Sequence, residues 1–424
     1  MHQLVGIDSA IMGHRGSMLE LFRISRSPVP LCVATARGES ENNLMLKLGS
    51  HTLQTPVVLA PMAGVTNAPF RSLCRQFGPG LVYVNEMVMA TGLVRFSPKS
   101  QRLITFSPDE DLRSVQLYGS DPEIMGRAVS QLVANNAVDH IDLNFGCPAA
   151  KVTRKGGGAA VPLKKNLLRA IIRAAVSEGK KGGIPVTCKF RMGITDDLLT
   201  YLHTAEIAGE EGVAWVALHA RTVEQHYAGQ ARWPAIATLK SHFPDLQVLG
   251  NGDIWDAHDA VKMMEQTGCD GVVVGRGCLG RPWLFRDLVD VFEGRATQPT
   301  PLLGEVVDVM LQHARMLDAH ATTALPGENI RGAKEFRKHA GWYLTGYPVG
   351  GEVRRRASNC STVQELEELF ADVDRNIAIV EGGERFTRGH TNGPIKVALP
   401  PGYLESLDDM VVPDDNNEMQ LSGG

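Results

Sequence analysis

The chain has 424 residues, of which 43% are hydrophobic and 21% are charged, and its formal net charge is −4. This length allows one large core and a smaller second domain, and no stretch of sequence is long and apolar enough to span a bilayer. The slightly acidic total excludes a uniformly basic chain, but a local basic face can still bind nucleic acid.

The seven cysteines are scattered, odd in number and without a CxxC pair. This pattern argues against a disulfide framework and against a structural zinc site, so we predict no metal. It favours a reducing compartment, and we expect a cytoplasmic protein.

Residues 1–43 precede the first regular pattern of the chain. Arg23 and Arg26 stand before an apolar run that faintly imitates a secretory signal, but the run is short and broken by Pro28 and Pro30. The segment is poor in acidic residues, which leaves a transit peptide open. We predict an N-terminal extension that is either disordered or the product of an over-long start site.

From residue 44 the chain repeats a short apolar run, a polar loop and a longer amphipathic stretch. Continuous apolar strands that alternate with helical segments are typical of a parallel sheet covered by helices. Eight such units match the (β/α)8 TIM barrel, an α/β fold, and we place this domain at 44–298. The eight runs are 56–60, 81–86, 114–117, 140–144, 185–191, 215–219, 247–250 and 271–274.

Polar residues end nearly every run. In a barrel these positions gather at one mouth, the C-terminal face where active sites lie. A doubly wound open sheet, the main alternative, would spread them along an edge, so the pattern favours the barrel. The strand ends carry Pro61, Met62, Ala63, Asn85, Glu86, Gln116, Asn144, Cys147, Lys189, Arg191, His219, Arg221, Asn251, Gly252, Asp253, Gly275 and Arg276.

Two glycine-bearing loops, 250–253 and 275–277, follow the seventh and eighth runs. Glycine lets backbone N–H groups approach a phosphate closely, and barrels usually bind phosphate at these two loops. Arg276 would add positive charge. We predict a phosphate site here, with two tight turns as the structural alternative.

Lys189 lies inside a buried strand, where an ammonium needs an anionic partner or its pKa falls. It therefore predicts either a bound anion or an ion pair with Glu86 or Asp142. Gln116 has both a donor and an acceptor, which suits the carbonyl and N–H edge of a ring.

His219 and Arg221 alternate along one strand end. Because alternate side chains of a strand share a face, both can point to the mouth and hold an anion or a base carbonyl. The following loop, 225–229, could cap a substrate.

Cys147 follows the fourth run and is flanked by glycine and proline. It could be a nucleophile, a general acid or an inert core residue. A free thiol is mostly protonated at neutral pH, and a nucleophilic cysteine normally needs a histidine base. His140 lies too far along the strand, whereas His219 stays possible, and the amide of Asn144 suits recognition of a base. We predict a general acid.

After residue 298 the strand pattern stops. Amphipathic helices are predicted at 302–320, 332–344 and 362–370, and we place a helical second domain at 299–380. Residues 381–424 are rich in Gly, Pro and Asp, which predicts a flexible tail. The helical domain concentrates the basic residues Arg331, Lys334, Arg337, Lys338, Arg354, Arg355 and Arg356.

Three aromatic residues, Trp342, Tyr343 and Tyr347, interleave with these basic residues. Basic residues mixed with aromatics are typical of a surface that binds a phosphate backbone and stacked bases. The alternative is a solvated helix face above a buried aromatic stripe.

An ordered set of motifs now resembles tRNA-dihydrouridine synthase, most closely its bacterial B-type (nitrogen-regulation-like) subgroup, over residues 44–375. The motifs are Pro61-Met62-Ala63-Gly64-Val65-Thr66-Asn67, Gln116-Leu117-Tyr118-Gly119, Asn144-Phe145-Gly146-Cys147-Pro148, Lys189-Phe190-Arg191, His219-Ala220-Arg221-Thr222, Asn251-Gly252-Asp253, Gly275-Arg276-Gly277 and Phe336-Arg337-Lys338-His339.

The resemblance implies an FMN enzyme that reduces a uridine of tRNA to 5,6-dihydrouridine with NADPH, or NADH, as reductant, in a monomer that binds no membrane. Cys147 would protonate C5 of the uracil. FMN would be held by Pro61, Met62, Ala63, Gln116, Lys189, His219, Asn251, Gly252, Asp253, Gly275 and Arg276. The tRNA would meet Asn144, Arg191, Arg221, Lys334, Arg337, Lys338, Arg354, Arg355 and Arg356.

Two other functions remain open from the sequence. A flavin barrel acting on free pyrimidines would need no basic helical domain. A non-catalytic RNA-binding barrel would need neither the thiol of Cys147 nor the ammonium of Lys189.

Overall fold

The structure, a computed structural model, describes residues 45–322 and 332–411. The predicted extension at 1–43 lies outside the described residues, as do Arg331 and the last part of the predicted tail, 412–424. The strands in the described ranges are β1 Leu46–Leu48, β2 His51–Leu53, β3 Val57–Leu59, β4 Val82–Met89, β5 Ser114–Tyr118, β6 His140–Phe145, β7 Val186–Arg191, β8 Val216–His219, β9 Val248–Asn251 and β10 Gly271–Val274.

The α-helices in the described ranges are α1 Ala68–Phe77, α2 Ala90–Val94, α3 Pro98–Leu103, α4 Pro122–Ala134, α5 Ala150–Thr153, α6 Lys165–Lys181, α7 Tyr201–Glu211, α8 Trp233–His242, α9 Ala257–Thr267, α10 Leu284–Phe292, α11 Leu303–Ala321, α12 Gly332–Tyr343, α13 Gly350–Ala357 and α14 Val363–Phe370. Several begin at side-chain caps that accept otherwise unpaired N–H groups, as Asn67 does for α1, Asp121 for α4 and Asp256 for α9.

Strands β3 to β10 form a closed barrel in which all neighbouring strands are parallel and β10 closes onto β3. The predicted TIM barrel is confirmed, and each predicted run overlaps one barrel strand. The strands read as continuous apolar runs because the helices cover the outer face while side chains fill the interior.

The register of the barrel brings predicted site residues side by side. Asn144 on β6 lies beside Lys189 on β7, Arg191 lies beside His219 on β8, and His219 lies beside Asn251 on β9. These pairs occur at the C-terminal ends of the strands, so the mouth of the barrel carries the polar residues.

A β-hairpin that the sequence analysis did not predict, β1 and β2, packs against the interior of the barrel at its opposite end. Leu46, Leu48 and Leu53 join a cluster of inward-facing barrel residues that includes Trp215. The side chain of Gln247, immediately before β9, accepts from the Lys47 nitrogen at 2.8 Å and donates to the Lys47 oxygen at 2.9 Å. The hairpin therefore plugs the N-terminal end.

The helices α11 to α14 pack around a hydrophobic cluster of their own, which includes Met310, Phe336 and Leu366. This agrees with the predicted helices, although the boundary at residue 298 stays a prediction. Ring contacts join this part to the barrel, since Phe70 of α1 lies 5.6 Å from His313 and 5.8 Å from His339 between ring centroids.

Residues 381–411, here called the C-terminal strap, contain one short 3-10 turn and otherwise no helix or strand. The flexible tail that composition indicated stays a prediction, and residues 381–411 contact distant parts of the chain. Val397, Leu399 and Tyr403 pack against a cluster that includes Ala160 and Val223 of the barrel loops. Composition reports the lack of regular structure but not these long-range contacts.

Candidate active site at the barrel mouth

A cavity of about 700 Å³ opens at the C-terminal mouth of the barrel. This volume suits a cofactor-sized ligand. Sixteen of the predicted site residues line it, namely Pro61, Met62, Ala63, Gln116, Asn144, Cys147, Lys189, Arg191, His219, Arg221, Asn251, Gly252, Asp253, Gly275, Arg276 and Lys338. The other predicted tRNA residues, Lys334, Arg337, Arg354, Arg355 and Arg356, lie elsewhere in the helical part.

Cys147 lies in the loop after β6, and its backbone is fixed by Asn144. The side-chain oxygen of Asn144 accepts from the nitrogens of Gly146 at 3.0 Å and Cys147 at 2.9 Å. On the other side of the loop, Nε of Arg191 donates to the Gly146 oxygen at 3.1 Å. The thiol is therefore presented to the cavity by two side chains from adjacent strands.

Burial raises the pKa of the Cys147 thiol, although the Ala149 N–H and nearby cations oppose this. The thiol is therefore protonated at neutral pH, which is the state of a proton donor and not of a nucleophile. This agrees with the predicted role of a general acid.

The amides of Asn144 and Gln116 form a chain with Asp142. Nδ2 of Asn144 donates to Oε1 of Gln116 at 2.8 Å, and Nε2 of Gln116 donates to Oδ2 of Asp142 at 2.7 Å. Nδ2 of Asn144 also donates to the sulfur of Met87 at 3.6 Å. The amide oxygens, which were expected to meet a base or a ring edge, already accept hydrogen bonds within the protein.

The chain of hydrogen bonds continues into the barrel interior. Thr187 donates to Oδ1 of Asp142 at 2.7 Å, Nε2 of His140 lies 2.8 Å from the Thr187 hydroxyl, and Ser114 lies 2.7 Å from Nδ1 of His140. Burial lowers the pKa of His140 to about 3, so the imidazole is neutral. The residues at the mouth are therefore connected to a buried network whose polar side chains are hydrogen-bonded to one another.

Lys189 projects from β7 into the same region. Burial, assisted by the neighbouring Arg191, lowers the pKa of Lys189 to about 8, and Asp142 partly opposes the shift. Asp142 is near enough to stabilise the ammonium, but its two oxygens already accept from Gln116 and Thr187. The ammonium therefore remains suited to an anion in the cavity.

Arg221 lies beside the loop 250–253, where we predicted a phosphate site. Its Nη2 donates to both oxygens of Asp253 at 2.8 Å and to the Gly229 oxygen at 2.6 Å. Its Nη1 is buried and has no hydrogen-bond partner among the described residues. An unpaired buried donor is costly, and a phosphate oxygen would satisfy it.

Gly252 lies beside this unpaired donor. Its φ is 129°, and a Cβ there would lie 2.6 Å from the Ala231 Cβ and 3.8 Å from Nη1 of Arg221. Glycine is therefore required for the backbone to pass this point, close to the free guanidinium N–H. These observations fit a phosphate-bearing cofactor, and they place Arg221 with the phosphate loops although it was predicted to contact the substrate.

Arg276 is held from three directions. Its Nη1 donates to the His390 oxygen at 2.6 Å, and its Nη2 lies 3.5 Å from Oδ1 of Asp253. The guanidinium stands over the rings of Tyr227 at 4.7 Å and Trp255 at 5.2 Å. No sequence pattern pointed to Trp255 or His390, while Tyr227 belongs to the loop that was expected to cap a substrate.

His219 lies among cations. Burial lowers its pKa well below the usual value, and Arg191, Lys189, Arg221 and Arg276 lower it further. The imidazole is therefore neutral. Since this many positive groups face one cavity, the site favours an anionic ligand.

A second cavity of about 630 Å³ adjoins the first and shares Ala63, Met87, Lys151 and Lys338 with it. Lys338 of α12 bridges the two parts of the chain, since its Nζ would lie 3.4 Å from a Cβ at Gly64. The second cavity is rich in cationic side chains, namely Arg71, Arg95, Lys99, Arg102, Lys151, Lys155 and Lys338.

The basic residues of the helical part differ in their surroundings. Arg337 donates to the Cys360 oxygen, and Arg354 donates to the Tyr347 oxygen, so both tie the helices together. Arg355 pairs with Glu352 at the surface, and Arg356 is exposed. Lys338, Arg355 and Arg356 are therefore the more accessible cations.

The three aromatic residues of the helical part also differ in their exposure. Tyr343 and Tyr347 are each 1% exposed and belong to the helical core, as the structural alternative proposed. Trp342 is half-buried and lines the first cavity. The two tyrosines therefore cannot offer their rings to bases.

Within the described ranges, no helix is long and apolar enough to cross a membrane. The same part of the chain has no group of three or more His, Cys, Asp or Glu side chains arranged to hold a metal ion.

Comparison with known proteins gives a consistent family assignment. The model of the family described as dihydrouridine synthase (Dus) matches residues 58–378. A "Probable tRNA-dihydrouridine synthase" of Mycobacterium tuberculosis is 47% identical over 384 residues, covering 89% of this chain and 97% of that protein. A tRNA-dihydrouridine synthase B of Vibrio cholerae is 35% identical over 334 residues, covering 78% and 100%.

Among solved structures, histamine dehydrogenase from Rhizobium sp. 4-9 aligns with 79% of this chain and 65% of that chain. The TM-score is 0.45 and the identity is 11%. This likeness is too distant to bear on function.

Proposed function

The chain belongs to the dihydrouridine synthase family, and on that premise we propose that it reduces a uridine of tRNA to 5,6-dihydrouridine with FMN as cofactor and NADPH as reductant. The observation that carries the proposal is the protonated thiol of Cys147 at a mouth whose other residues form an anion site. A proton donor and a cofactor site are both required to saturate a pyrimidine double bond.

When bound, FMN supplies a hydride that is delivered to C6 of the uracil. Negative charge then develops at C5 and O4, and Cys147 gives its proton to C5. The protein fixes the position of that proton through Asn144 and Arg191, which hold the loop backbone. Addition of one hydride and one proton balances the reduction.

The residues of the mouth fit the cofactor. We propose that Gly252, Asp253, Gly275 and Arg276, now joined by Arg221, surround the phosphate, because Arg221 has an unpaired buried donor there. Lys189 would offer its ammonium to the anionic reduced ring system. The rest of the proposed set is Pro61, Met62, Ala63, Gln116, His219 and Asn251.

The target base must leave its stack to reach the mouth, at a cost that RNA contacts elsewhere have to offset. The second cavity supports this, because its cations line a path from the helical part to the Cys147 cavity. We propose that Lys338, with the exposed Arg355 and Arg356 and with Lys334, contacts the RNA backbone. Arg337 and Arg354 act mainly on the fold, and Arg191 acts on the Cys147 loop.

NADPH and the uridine would use the same opening. Because one mouth cannot hold both over one flavin face, we propose that the oxidised nicotinamide leaves before the RNA binds. The described cysteines are free thiols, which supports a reducing compartment such as the cytoplasm.

The test is reduction of an unmodified tRNA transcript by the purified protein with FMN and NADPH, followed by mass mapping of dihydrouridine. We expect dihydrouridine at a defined position. Activity on free uracil or uridine but not on tRNA would establish the free-pyrimidine alternative. A protein that binds tRNA and cannot be reconstituted with FMN would be a non-catalytic barrel.

A further inference from the structure

The C-terminal strap begins with two arginines that bind it to both parts of the chain. Arg388 is 2% exposed and donates to the oxygens of Trp342 and Thr345 in the helical part. Arg385 forms ion pairs with Asp256 and Asp259 at the N-terminus of α9. These contacts set the course of the strap just before it reaches the mouth.

The middle of the strap passes along the wall of the Cys147 cavity, which Gly389, His390 and Asn392 help to line. The His390 oxygen accepts from Nη1 of Arg276 at 2.6 Å. The His390 ring stacks on Tyr227, with centroids 6.2 Å apart and an interplanar angle of 23°. The strap thus contacts Arg276 directly and also contacts the ring that lies under its guanidinium.

Asn392 holds the loop that carries Tyr227. Its backbone oxygen accepts from the Tyr227 nitrogen at 3.2 Å, and both of its oxygens lie 3.1 Å from Nδ1 of His226. Further on, the Ile395 nitrogen donates to the Glu224 oxygen at 2.8 Å. The loop 224–227 and the strap therefore form one unit beside the cavity.

The far end of the strap is anchored next to the loop that follows Cys147. The Tyr403 hydroxyl donates to the Gly156 oxygen at 3.3 Å. Lys164, whose side chain is 4% exposed, donates to the Ser406 oxygen at 2.5 Å, pairs with Asp409 and stands 4.7 Å from the Tyr403 ring centre. A buried lysine with these partners is a firm anchor, so the middle of the strap is held from both sides.

We propose that the strap completes the cofactor site, because residues 389–393 hold Arg276 and Tyr227 in the positions from which they retain the phosphate end of FMN. The inference rests on the proposed FMN site and adds a segment that lies beyond residue 378, where the match to the family model ends. A guanidinium fixed in advance loses less side-chain entropy when an anion binds, so the strap strengthens binding without touching the phosphate.

Gly393 offers a way to displace the strap locally. Its φ is 148°, and a Cβ there would lie 2.5 Å from the Gln225 oxygen and 3.0 Å from the Ala228 Cβ. Gly393→Ala must therefore push the strap away from the loop that carries Tyr227. Gly402 is the matched control, because its φ is also positive, at 67°, while its nearest neighbour is the exposed Glu405 side chain at 3.4 Å.

The experiment measures the dissociation constant of FMN by quenching of flavin fluorescence in the full-length wild type, Gly393→Ala, Asn392→Ala and Gly402→Ala. The melting temperature of each cofactor-free protein is measured in parallel. We expect the dissociation constant to rise about tenfold in Gly393→Ala and by a smaller factor in Asn392→Ala, as for one or two weakened hydrogen bonds. Gly402→Ala should bind FMN like the wild type.

The outcomes separate the two proposals. A wild type that does not bind FMN refutes the proposed function and the role of the strap together. A wild type that binds FMN, with Gly393→Ala and Asn392→Ala binding equally well, overturns the role of the strap alone. If Gly393→Ala does not fold, Asn392→Ala decides, because Asn392 is exposed and its substitution removes a surface contact. Equal loss of FMN in Gly402→Ala would also overturn the inference.

Discussion

The side-chain oxygen of Asn144 lies 2.9 Å from the backbone nitrogen of Cys147 and accepts its hydrogen bond. The same oxygen accepts from Gly146, while the amide nitrogen donates to Gln116. One amide therefore connects the loop that carries the thiol to the buried network of the barrel. These contacts support a role for Asn144 in positioning Cys147, while its recognition of the base stays a prediction.

We expect Asn144→Ala to slow dihydrouridine formation by about tenfold or more, because two hydrogen bonds that position the proton donor are lost. NADPH oxidation in the absence of tRNA should change little. The measurement is the ratio of the two rates. Gln364→Ala, which removes an exposed amide on α14, is the control and should leave both rates unchanged. Equal loss of both rates would instead indicate general disruption of the site.

Cys147→Ala should reduce dihydrouridine formation by about 10² to 10⁴, the usual contribution of a general acid, while FMN binding and NADPH oxidation persist. The pH dependence tests the protonation state. Because burial raises the pKa of Cys147 above its ordinary value of 9.0, the thiol stays protonated through neutral pH and is lost as an acid only at higher pH. Single-turnover reduction should therefore be flat near neutrality and fall in strong base. A rate that increases as the thiolate forms would contradict the assignment.

Lys189 predicts a pH dependence of cofactor binding. Burial lowers its pKa to about 8, and the protonated form attracts an anion, so the affinity for reduced FMN should be highest below that pH and fall as the pH rises through it. In Lys189→Met the affinity for reduced FMN should be weaker and should lose this fall. Anaerobic titration of the cofactor-free protein with reduced FMN from pH about 6.5 to about 9.5 measures both. Identical pH profiles in the two proteins would exclude Lys189 as an anion ligand.

We expect the accessible arginines of α13 to contribute to tRNA binding in a way that depends on salt concentration. Replacing Arg355 and Arg356 by Glu should weaken tRNA binding and reduce the slope of log affinity against log salt by about one for each lost phosphate contact. Arg173→Glu, on the outer surface of α6 and similarly exposed, should have little effect. Filter binding at several salt concentrations measures the slope. An unchanged slope in the double variant would place the RNA elsewhere.

We expect a large loss of stability when the buried ion pair of Arg71 and Glu110 is broken. The two side chains are each 1% exposed and are joined by hydrogen bonds of 2.7 and 3.0 Å. Arg71→Met leaves the buried carboxylate with only the more distant Arg75, at 3.8 Å, and should lower the free energy of unfolding by about 3–5 kcal/mol. Arg355→Met, which breaks a surface pair, should cost less than about 1 kcal/mol. Urea unfolding distinguishes these values, and similar losses in both variants would refute the argument.

The sequence allowed prediction of the barrel because each strand is buried on both faces and therefore forms a continuous apolar run. The mouth followed from the chemistry at the strand ends. The hairpin β1–β2 escaped prediction because its three-residue strands are too short for a periodic signal. The strap escaped for a different reason, since contacts such as Lys164 with Asp409 join residues far apart in the chain and leave no local pattern.

It was easier to predict which residues lie at the site than which contacts each of them makes there. Asn144, Arg191 and Arg221 were expected to meet the substrate, yet each also forms hydrogen bonds to neighbouring backbone groups. Sequence identifies polar residues at the mouth but does not show which donors remain unpaired. The free Nη1 of Arg221 is visible only once its neighbours are placed.

The hairpin at the base of the barrel affects the access of dioxygen, which can oxidise a reduced flavin. Leu46, Leu48 and Leu53 pack against the interior side chains and Gln247 binds the hairpin to the barrel, so the hairpin covers this end of the barrel. The mouth is then the open approach to the proposed flavin, and a docked tRNA would cover it. We expect oxidation of the reduced cofactor by dioxygen to slow when tRNA is bound, because the bound substrate would cover this approach.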